Sequence, residues 1–412
     1  LSKKKSRKKD KIKHFISYLE IFKINFVGKK QIEIFSKSPF SDKSTDIISI
    51  EGDQDSIENL VKSTNENYLQ FCSDSRLFTE IALTQPPDGF DIRRSKKTGT
   101  PHQTALRYLA ACAQFDEPVD RPLLELFQSY TKNHETYKIK FTGNFATPQN
   151  YKVIALPLVH ELNLKILVFD NFAPQNVCKI IHYILKHNKK ITTIILKNYE
   201  DINYHLFGFD KLANPSVISW AFCNLTFSDN SEQLTFLQQF ASYQGFIQKL
   251  TLEQFTFNAA LLKEITKFVP NCYCFRTLEI LEIRQPNFQS RRTEEIQRSL
   301  RDFTNIASSL KVLHTFEVTG WSSIYPSAIF CSSTLHNQNI MFASTSLRHI
   351  SFSNLDFRKV NFSFNFPILL NVVELEKCYF NSLSLLNLLK AAGEIRSPLI
   401  LDLSLMKIDD NE

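Results

Sequence analysis

Apolar residues recur along most of the chain in a short pattern whose first, fourth and sixth positions are mostly apolar. The first occurrence is Thr136, Ile139 and Phe141, and later ones follow 25 to 35 residues apart. Alternation of apolar and polar residues is typical of a strand with one buried face, so the pattern predicts about ten strands. Their central residues are Ile139, Leu167, Ile194, Trp220, Leu250, Leu281, Phe316, Ile350, Leu375 and Leu403.

Between these strands, apolar residues follow the spacing of an amphipathic helix. The clearest set covers 177–185, and similar spacings occur over 261–268 and 383–389. A strand and a helix about every 28 residues resemble the ribonuclease-inhibitor class of leucine-rich repeat. The fold class expected for residues 134–412 is therefore α/β, a leucine-rich-repeat solenoid or horseshoe of about ten repeats. The alternative is an ordinary α/β fold with irregular strand–helix units, although parallel sheets favour longer continuous apolar strands.

The sequence departs from that repeat class where each strand ends. The usual asparagine is mostly missing there, and large side chains stand nearby instead. We therefore expect aromatic packing at this corner rather than a ladder of amides. The residues concerned are Phe172, Tyr199, Leu225, Phe255, Trp321 and Phe380.

The first 133 residues follow a different plan. Short strands are predicted over 15–24, 31–35 and 46–50, and a helix over 54–72. Three strands closed by a helix predict the back half of a small β-barrel, assigned to residues 14–75. Residues 1–13 are expected to be a disordered basic tail. Residues 76–133 are expected to be a linker followed by two helices, over 102–130, that cap the repeats.

This order of elements resembles the CARMIL family of actin-regulatory scaffolds. The resemblance rests on strands containing Tyr18-Leu-Glu-Ile, a terminal helix, a helical linker and repeats of about 28 residues. It implies a partial pleckstrin-homology-like domain over 14–75, a non-enzymatic scaffold linked to the actin cytoskeleton, attachment to membranes and homodimerisation. No capping-protein motif is visible in the chain, so that activity is assigned to none of its residues. The alternative is a generic repeat adaptor or sensor with an unrelated protein partner.

The net charge of +7 is confined to the first thirteen residues, which hold eight basic residues and one acidic residue. The remainder is neutral overall, so nucleic-acid binding over a folded basic face is not expected. Contact with anionic membrane lipid is predicted for the tail. Its alternatives are a solvated end and a nuclear-import or nucleic-acid patch. The predicted lipid-contacting residues are Lys3, Lys4, Lys5, Arg7, Lys8 and Lys9.

Residues able to carry catalysis are scattered. The eight cysteines form no Cys-x-x-Cys pair, and the ten histidines show no metal-ligand spacing. Nucleophile-elbow and phosphate-binding motifs are missing, as is any apolar stretch of about 18 residues. We therefore expect no enzyme activity, no cofactor, no metal site, and a cytoplasmic location that extends to the membrane periphery.

A protein-binding surface is predicted on the concave side of the solenoid. Strand residues that flank the buried positions would lie there, in a mixture of charged, polar and apolar side chains. The predicted binding residues are Lys165, Thr192, Thr251, Glu282, Glu317 and Ser351.

Overall fold

The structure is a computed structural model, and its contacts divide the chain into two units. One unit comprises Leu1–Glu135 and Pro148–Leu162, and the other comprises Thr136–Thr147 and Asn163–Glu412. The residues described are 21–36, 46–71, 81–86, 104–132, 137–159, 161–212, 214–257, 259–288, 305–320, 338–341, 346–358 and 362–408.

The first unit contains a four-stranded sheet and a helix, α1 (Gln54–Phe71). The strands are β1 (Ile21–Phe26), β2 (Gln31–Ser36), β3 (Asp46–Glu51) and β4 (Ala82–Thr84), in the order β3-β2-β1-β4. β1 and β3 are antiparallel to β2, and β4 runs parallel to β1. Alternation in the sequence buries Ile24, Phe26, Ile32 and Ile34.

This sheet corrects the predicted partial β-barrel. Its fourth strand, β4, comes from the segment predicted to be a linker, and it pairs with β1 along only three residues. Such a short strand carries too little alternation to be recognised in the sequence. The helix predicted over 54–72 is confirmed by α1.

Three further helices complete the description of this unit: α2 (Thr104–Phe115), α3 (Arg121–Lys132) and α4 (Lys152–Val159). The first two confirm the helices predicted over 102–130. Tyr108 and Phe127 pack against each other with ring centroids 5.1 Å apart. Arg107 Nη1 lies 2.7 Å from Glu161 Oε1, and each side chain is only 1% exposed. Removal of one partner from such a buried ion pair would leave the other charge buried without compensation, which strongly destabilises a protein.

Ten strands of the second unit form one sheet, here called the large sheet. All neighbouring pairs are parallel, and the strands stand in chain order from one edge to the other. They are β5 (Lys138–Thr142), β6 (Ile166–Asp170), β7 (Thr193–Glu200), β8 (Ser219–Thr226), β9 (Lys249–Glu253), β11 (Ile280–Arg284), β13 (Thr315–Thr319), β15 (His349–Ser353), β18 (Val372–Glu376) and β20 (Ile400–Asp402).

Shorter strands pair apart from the large sheet. β10 (Thr256–Phe257) pairs with β12 (Asn287–Phe288), and β14 (Gln338–Met341) pairs with β17 (Phe362–Asn365). A three-stranded sheet consists of β16 (Asp356–Phe357), β19 (Tyr379–Phe380) and β21 (Lys407–Ile408).

Helices connect several neighbours in the large sheet: α5 (Val177–His187), α6 (Asn230–Ala241), α7 (Ala259–Phe268) and α8 (Ser382–Gly393). The side chain of Asp229 accepts a hydrogen bond from the Glu232 amide at 2.8 Å, which caps α6. Asn381 caps α8 in the same way, with the Ser384 amide as donor at 2.7 Å. Asp229 and Asn381 each precede the first turn of a helix, where the backbone amides have no partner within the helix.

The large sheet corrects the predicted leucine-rich-repeat horseshoe. The described residues form a mixed α/β fold with ten parallel strands, and the connections between these strands are not equivalent. α5 follows β6, whereas two short 3₁₀ turns, Tyr204–Phe207 and Phe209–Lys211, stand between β7 and β8. Strands β16 and β17 stand between β15 and β18. Regular spacing indicates which strands are neighbours, but it does not determine what joins them, so only the α/β class remains.

The predicted central residues occupy one buried row of the sheet for eight strands and then lose register. Ile350 pairs with Val373, and Val373 pairs with Leu401. The predicted Leu375 therefore lies two residues beyond its expected position, beside Phe352, and Leu403 lies just past the end of β20. Both errors arise because apolar residues two positions apart on a strand fit the alternating pattern equally well.

Aromatic packing at the ends of the strands is confirmed for the described residues. Phe172, Tyr199, Phe255 and Phe380 are fully buried. The Tyr199 hydroxyl donates to the Phe172 carbonyl at 2.8 Å. Trp321 lies outside the described residues.

A residue with left-handed backbone recurs near the carboxyl end of most strands of the large sheet. These residues are Asn171, Asn198, Asn224, Gln254, Gln285, Asn354, Lys377 and Leu405. Some amides among them do form contacts across neighbouring strands, contrary to the expectation that aromatic packing replaces a ladder of amides. Asn224 Nδ2 donates to Asn198 Oδ1 at 2.9 Å, and Gln254 Nε2 donates to Gln285 Oε1 at 3.0 Å. Asparagine tolerates this conformation better than most residues, which explains its frequency here.

Candidate functional site: the open face of the large sheet

Alternation along the strands gives the large sheet two chemically different faces. One face carries the buried apolar rows, for example Trp220, Leu250 and Leu281. The other, here called the open face, carries mostly half-exposed side chains. Parallel pairing aligns these side chains into rows that cross the strands. The middle row consists of Lys140, Val168, Ile195, Ala221, Thr251, Glu282, Glu317, Ser351, Glu374 and Asp402.

Four of the six predicted binding residues lie side by side in this middle row. Thr251 pairs with Glu282, Glu282 with Glu317, and Glu317 with Ser351. Each stands at the centre of its strand. The sequence therefore located a continuous polar stretch of the open face.

Lys165 and Thr192 do not belong to that row, and their role in binding stays a prediction. They lie just before β6 and β7, where the Lys165 carbonyl accepts hydrogen bonds from the amides of both Thr192 and Thr193, at 2.8 and 3.0 Å. Two successive donors on one acceptor interrupt the simple alternation of sides. The middle-row positions in these strands are Val168 and Ile195 instead.

Glu282 is the centre of a charged cluster on the open face. Its side chain is only 4% exposed and is contacted by Lys249 Nζ. Thr251 Oγ1 donates to Glu282 Oε2 at 2.7 Å, and Arg284 Nη2 lies 3.0 Å from the same oxygen. Because two cations and a hydroxyl surround the carboxylate, its charge is compensated within the protein.

Sequence reasoning missed the two cations of this cluster. Lys249 lies two residues before Thr251, and Arg284 lies two residues after Glu282. Residues two apart on a strand share a face, so this spacing was the signal that could have found them.

Glu317 differs from its neighbour Glu282. It is half-buried, and no lysine, arginine or histidine nitrogen among the described residues lies within 4 Å of its carboxylate. Burial raises the pKa of Glu317, and the charge of Glu282 raises it further. His349, Lys249 and Arg284 act in the opposite direction without cancelling the effect. Glu317 is thus a half-buried acid of the row with no cation within 4 Å among the described residues.

Histidines accompany the acids on the later strands. His349 Nε2 lies 3.1 Å from Glu374 Oε2, and His314 Nε2 lies 3.2 Å from Glu279 Oε2. All four side chains are accessible to solvent. Exposed pairs of this kind contribute little to stability and mainly alter the local charge of the surface.

Charge is distributed unevenly across the open face. On β5 to β8 the charged side chains are Lys138, Lys140, Lys197 and Asp170. From β9 to β20 they are Lys249, Arg284, Glu253, Glu282, Glu317, Glu374, Glu376 and Asp402, with His349 among them. The face is therefore weakly basic at one side and acidic at the other.

Chemistry based on metals or thiolates has little support in the part of the chain that the structure describes. There, no group of three or more His, Cys, Asp or Glu side chains is placed to hold a metal ion. Burial raises the pKa of the Cys112 and Cys223 thiols to about 12 and holds that of Cys178 well above its ordinary value. These thiols stay protonated near neutral pH, so they are poor nucleophiles.

The remaining predictions concern membranes. Within the described residues, no helix combines the length and apolar character needed to cross a bilayer. The predicted lipid-contacting residues at positions 3–9 lie outside the described residues.

No protein-family model matches the chain, and no curated protein matches it either.

Proposed function

We propose that this chain is a non-enzymatic scaffold that binds a protein partner through the open face of its large sheet. The observation that carries the proposal is the middle row, in which apolar, polar and charged side chains follow one another across ten strands. Apolar, polar and charged side chains occur together in protein interfaces, where the charged ones lie mainly at the rim.

The dimensions of the face suit such a role. Nine spacings of about 4.8 Å between ten strands give a path of about 43 Å along the sheet. A strand of five residues adds about 16 Å in the other direction. The product, about 700 Å², is close to the roughly 800 Å² that each partner buries in a standard interface.

Charge reversal on the open face tests the proposal. Glu317→Lys combined with Glu374→Lys leaves the Glu282 cluster in place, while it inverts the acidic side of the face. We expect proteins that co-purify with the tagged wild-type chain to be lost or reduced at least tenfold, measured by quantitative mass spectrometry. Glu264→Lys on α7 is the matched control, since Glu264 is an exposed acid on the helical side.

Unchanged co-purification by the double variant would exclude the open face as the binding surface. Circular dichroism and a thermal melt of each variant establish that the comparison is made between folded proteins.

A cytoplasmic role in actin regulation with attachment to membranes remains part of the proposal. Its membrane part is supported by the concentration of positive charge in residues 1–13. Its actin part rests on the resemblance alone, whose partial barrel and horseshoe are corrected by the four-stranded sheet and the large sheet. Each lysine near an anionic bilayer contributes about 1 kcal/mol at moderate salt. Deletion of residues 1–13 is expected to abolish binding to vesicles that contain phosphatidylserine, and undiminished sedimentation with those vesicles would refute the lipid contact. The alternative is an adaptor with an unrelated partner, which co-purification of proteins other than actin regulators would favour.

A further inference from the structure

The two ends of the strands in the large sheet carry opposite charge. The described segments just before the strands are here called the amino edge, and they contain seven basic and two acidic residues. These segments are 163–165, 189–192, 214–218, 244–248, 271–279, 310–314, 346–348, 367–371 and 394–399. The segments just after the strands contain six acidic and two basic residues instead. They are 170–173, 198–201, 224–228, 253–255, 284–286, 319–320, 353–355, 376–379 and 402–405.

The amino edge is continuous from β9 to β18. The Glu279 amide donates to the Gln248 carbonyl at 2.9 Å, and the His314 amide donates to the Glu279 carbonyl at 3.0 Å. The Arg348 amide donates to His314 at 2.9 Å, and the Asn371 amide donates to Arg348 at 2.8 Å. These five residues, one before each strand, therefore form a line about 19 Å long over four strand spacings.

Large apolar side chains stand exposed beside this line. Phe246 is 45% exposed and Tyr273 is 50% exposed, and their ring centroids lie 5.8 Å apart. Val312, Ile368 and Leu369 are exposed to a similar extent. Single exposed apolar residues are normal on a protein surface, whereas several of them along one edge mark a surface that binds something.

Basic side chains stand between the apolar ones on the amino edge. Arg276 lies three residues after Tyr273, Lys311 immediately precedes Val312, and both basic side chains are exposed. Arg348 lies before the next strand, β15. Apolar and basic residues therefore alternate from one strand to the next.

The acids of the amino edge leave its positive charge in excess. Glu279 Oε2 lies 3.2 Å from His314 Nε2, and Glu394 lies two residues before Arg396. The described residues of this edge retain an excess of five positive charges. An anionic partner is therefore favoured.

The alternation favours a membrane over an acidic protein. The core of a protein interface is depleted in charged residues, whereas basic residues here stand among the apolar ones. At a bilayer surface both kinds find partners, because apolar side chains enter the boundary between headgroups and acyl chains while basic ones remain at anionic headgroups. Tyr273, with an apolar ring and a polar hydroxyl, suits that depth.

We infer that the amino edge between β9 and β18 is a contact surface for an anionic lipid bilayer. Phe246, Tyr273 and Val312 enter the headgroup boundary, and Arg276 and Lys311 face acidic headgroups. This surface is separate from residues 1–13 and goes beyond the proposed function. Stable attachment to a membrane takes two signals, so loss of either contact should release the chain.

Sedimentation of the full chain with vesicles of phosphatidylserine and phosphatidylcholine tests the charged part. Arg276→Glu combined with Lys311→Glu should weaken binding at least about 25-fold, since each basic residue near an anionic surface contributes about fivefold. Lys179→Glu combined with Lys263→Glu makes the same change of charge on the exposed sides of α5 and α7. This control should have a much smaller effect, because salt screens distant exposed charges.

The apolar part is tested in the same assay by Phe246→Ser combined with Tyr273→Ser. Binding should weaken at least about tenfold, since it scales with the apolar area buried in the bilayer. Leu386→Ser combined with Leu405→Ser is the matched control, because these leucines are 46% and 66% exposed away from the amino edge. A thermal melt of each variant establishes that folded proteins are compared.

A fluorescent reporter gives a readout that misfolding would not imitate. Tyr273→Trp should add emission that brominated phosphatidylcholine quenches when phosphatidylserine is present in the vesicles. Leu405→Trp should add emission that is not quenched. The wild type supplies the background, which includes the buried Trp220.

The outcomes separate this inference from the earlier proposals. Equal sedimentation of the wild type and the Arg276→Glu, Lys311→Glu variant, or emission at position 273 that is not quenched, would overturn the membrane contact. Loss of a co-purifying acidic protein with unchanged vesicle binding would also overturn it and assign the amino edge to a protein partner. Deletion of residues 1–13 and the charge reversals on the open face judge the other two surfaces independently.

Discussion

The strands β5 to β8 and the strands β9 to β20 belong to one sheet but carry different open faces. Their buried rows are alike, with Phe222 in the first region and Phe316 in the second both fully buried. Their open rows differ, since Val168 and Ile195 in the first region give way to Glu282 and Glu317 in the second. Folding requires apolar residues only on the core face. The difference between the regions is therefore confined to the face that is available for binding.

Removal of a buried aromatic ring from each region tests this comparison, and we expect it to have the largest effect on stability. Phe222→Ala and Phe316→Ala should each lower the free energy of unfolding by about 3–5 kcal/mol, because each leaves a cavity in a packed core. The loss should be greater at Phe222, whose ring lies against Trp220, Phe236 and Phe240. Urea denaturation measures both values. A loss below about 1 kcal/mol in only one variant would show that the two cores are not equivalent.

Close backbone contacts provide the next test, with one glycine in each region. A Cβ added at Gly320 would lie 2.3 Å from the Asn354 carbonyl oxygen, and one added at Gly143 would lie 2.9 Å from the Asn171 carbonyl oxygen. Alanine at either position should lower the free energy of unfolding, by about 1–3 kcal/mol for typical overpacking. The effect at Gly320 should exceed that at Gly143, and the reverse order in urea denaturation would contradict the closer approach of the backbone at Gly320.

The Glu282 cluster is specific to the second region. Glu282→Ala should destabilise the protein by about 1–2 kcal/mol, because Thr251 and two cations lose their acceptor while those cations can still reach water. Ser351→Ala, two strands along the same row, is the control and should have little effect. Equal melting temperatures for Glu282→Ala and the wild type would show that the cluster contributes only to the charge of the surface.

The smallest effect is expected at Glu317. The pKa of Glu317 is raised in the folded chain, so its ionisation lowers the free energy of unfolding. This loss does not occur at low pH, where Glu317 is protonated in both the folded and the unfolded state. The stability of the wild type should therefore decrease as the pH rises from below 4.5 through the raised value, relative to Glu317→Gln. A series of thermal melts from pH 4 to pH 8 should show the variant gaining a small advantage with increasing pH. A disadvantage at neutral pH would contradict the absence of a close cation.

The sequence predicted strand positions better than it predicted the architecture between strands. Alternation located the strands of the large sheet because burial of one face imposes it residue by residue, as at Leu167 and Phe169. The connections vary because a helix and two 3₁₀ turns can cover the same apolar row, as α5 and Tyr204–Phe207 illustrate. Spacing alone does not distinguish them, and the predicted horseshoe was wrong for that reason.

The site was predictable where alternation was uninterrupted. Thr251, Glu282, Glu317 and Ser351 were assigned to one face from their strand positions, and the register places them side by side. Lys165 and Thr192 lie outside this row because they precede β6 and β7, where two successive amides share one carbonyl acceptor, as they do before most strands of the large sheet. The pairing of Glu282 with Lys249 depends on which strands are adjacent, and this information becomes available only with the register.

The recurring left-handed residues have a consequence for redesign of the chain. Asn171 and Asn198 have nearly the same φ, 51° and 58°, and each is followed by a buried aromatic residue, Phe172 or Tyr199. Deletion of residues 172–198 would therefore join Asn171 to Tyr199, with one left-handed residue taking the place of another of similar φ. A strand with its connection can be deleted or duplicated at these positions. The number of strands, and with it the length of the open face, can then be changed by design.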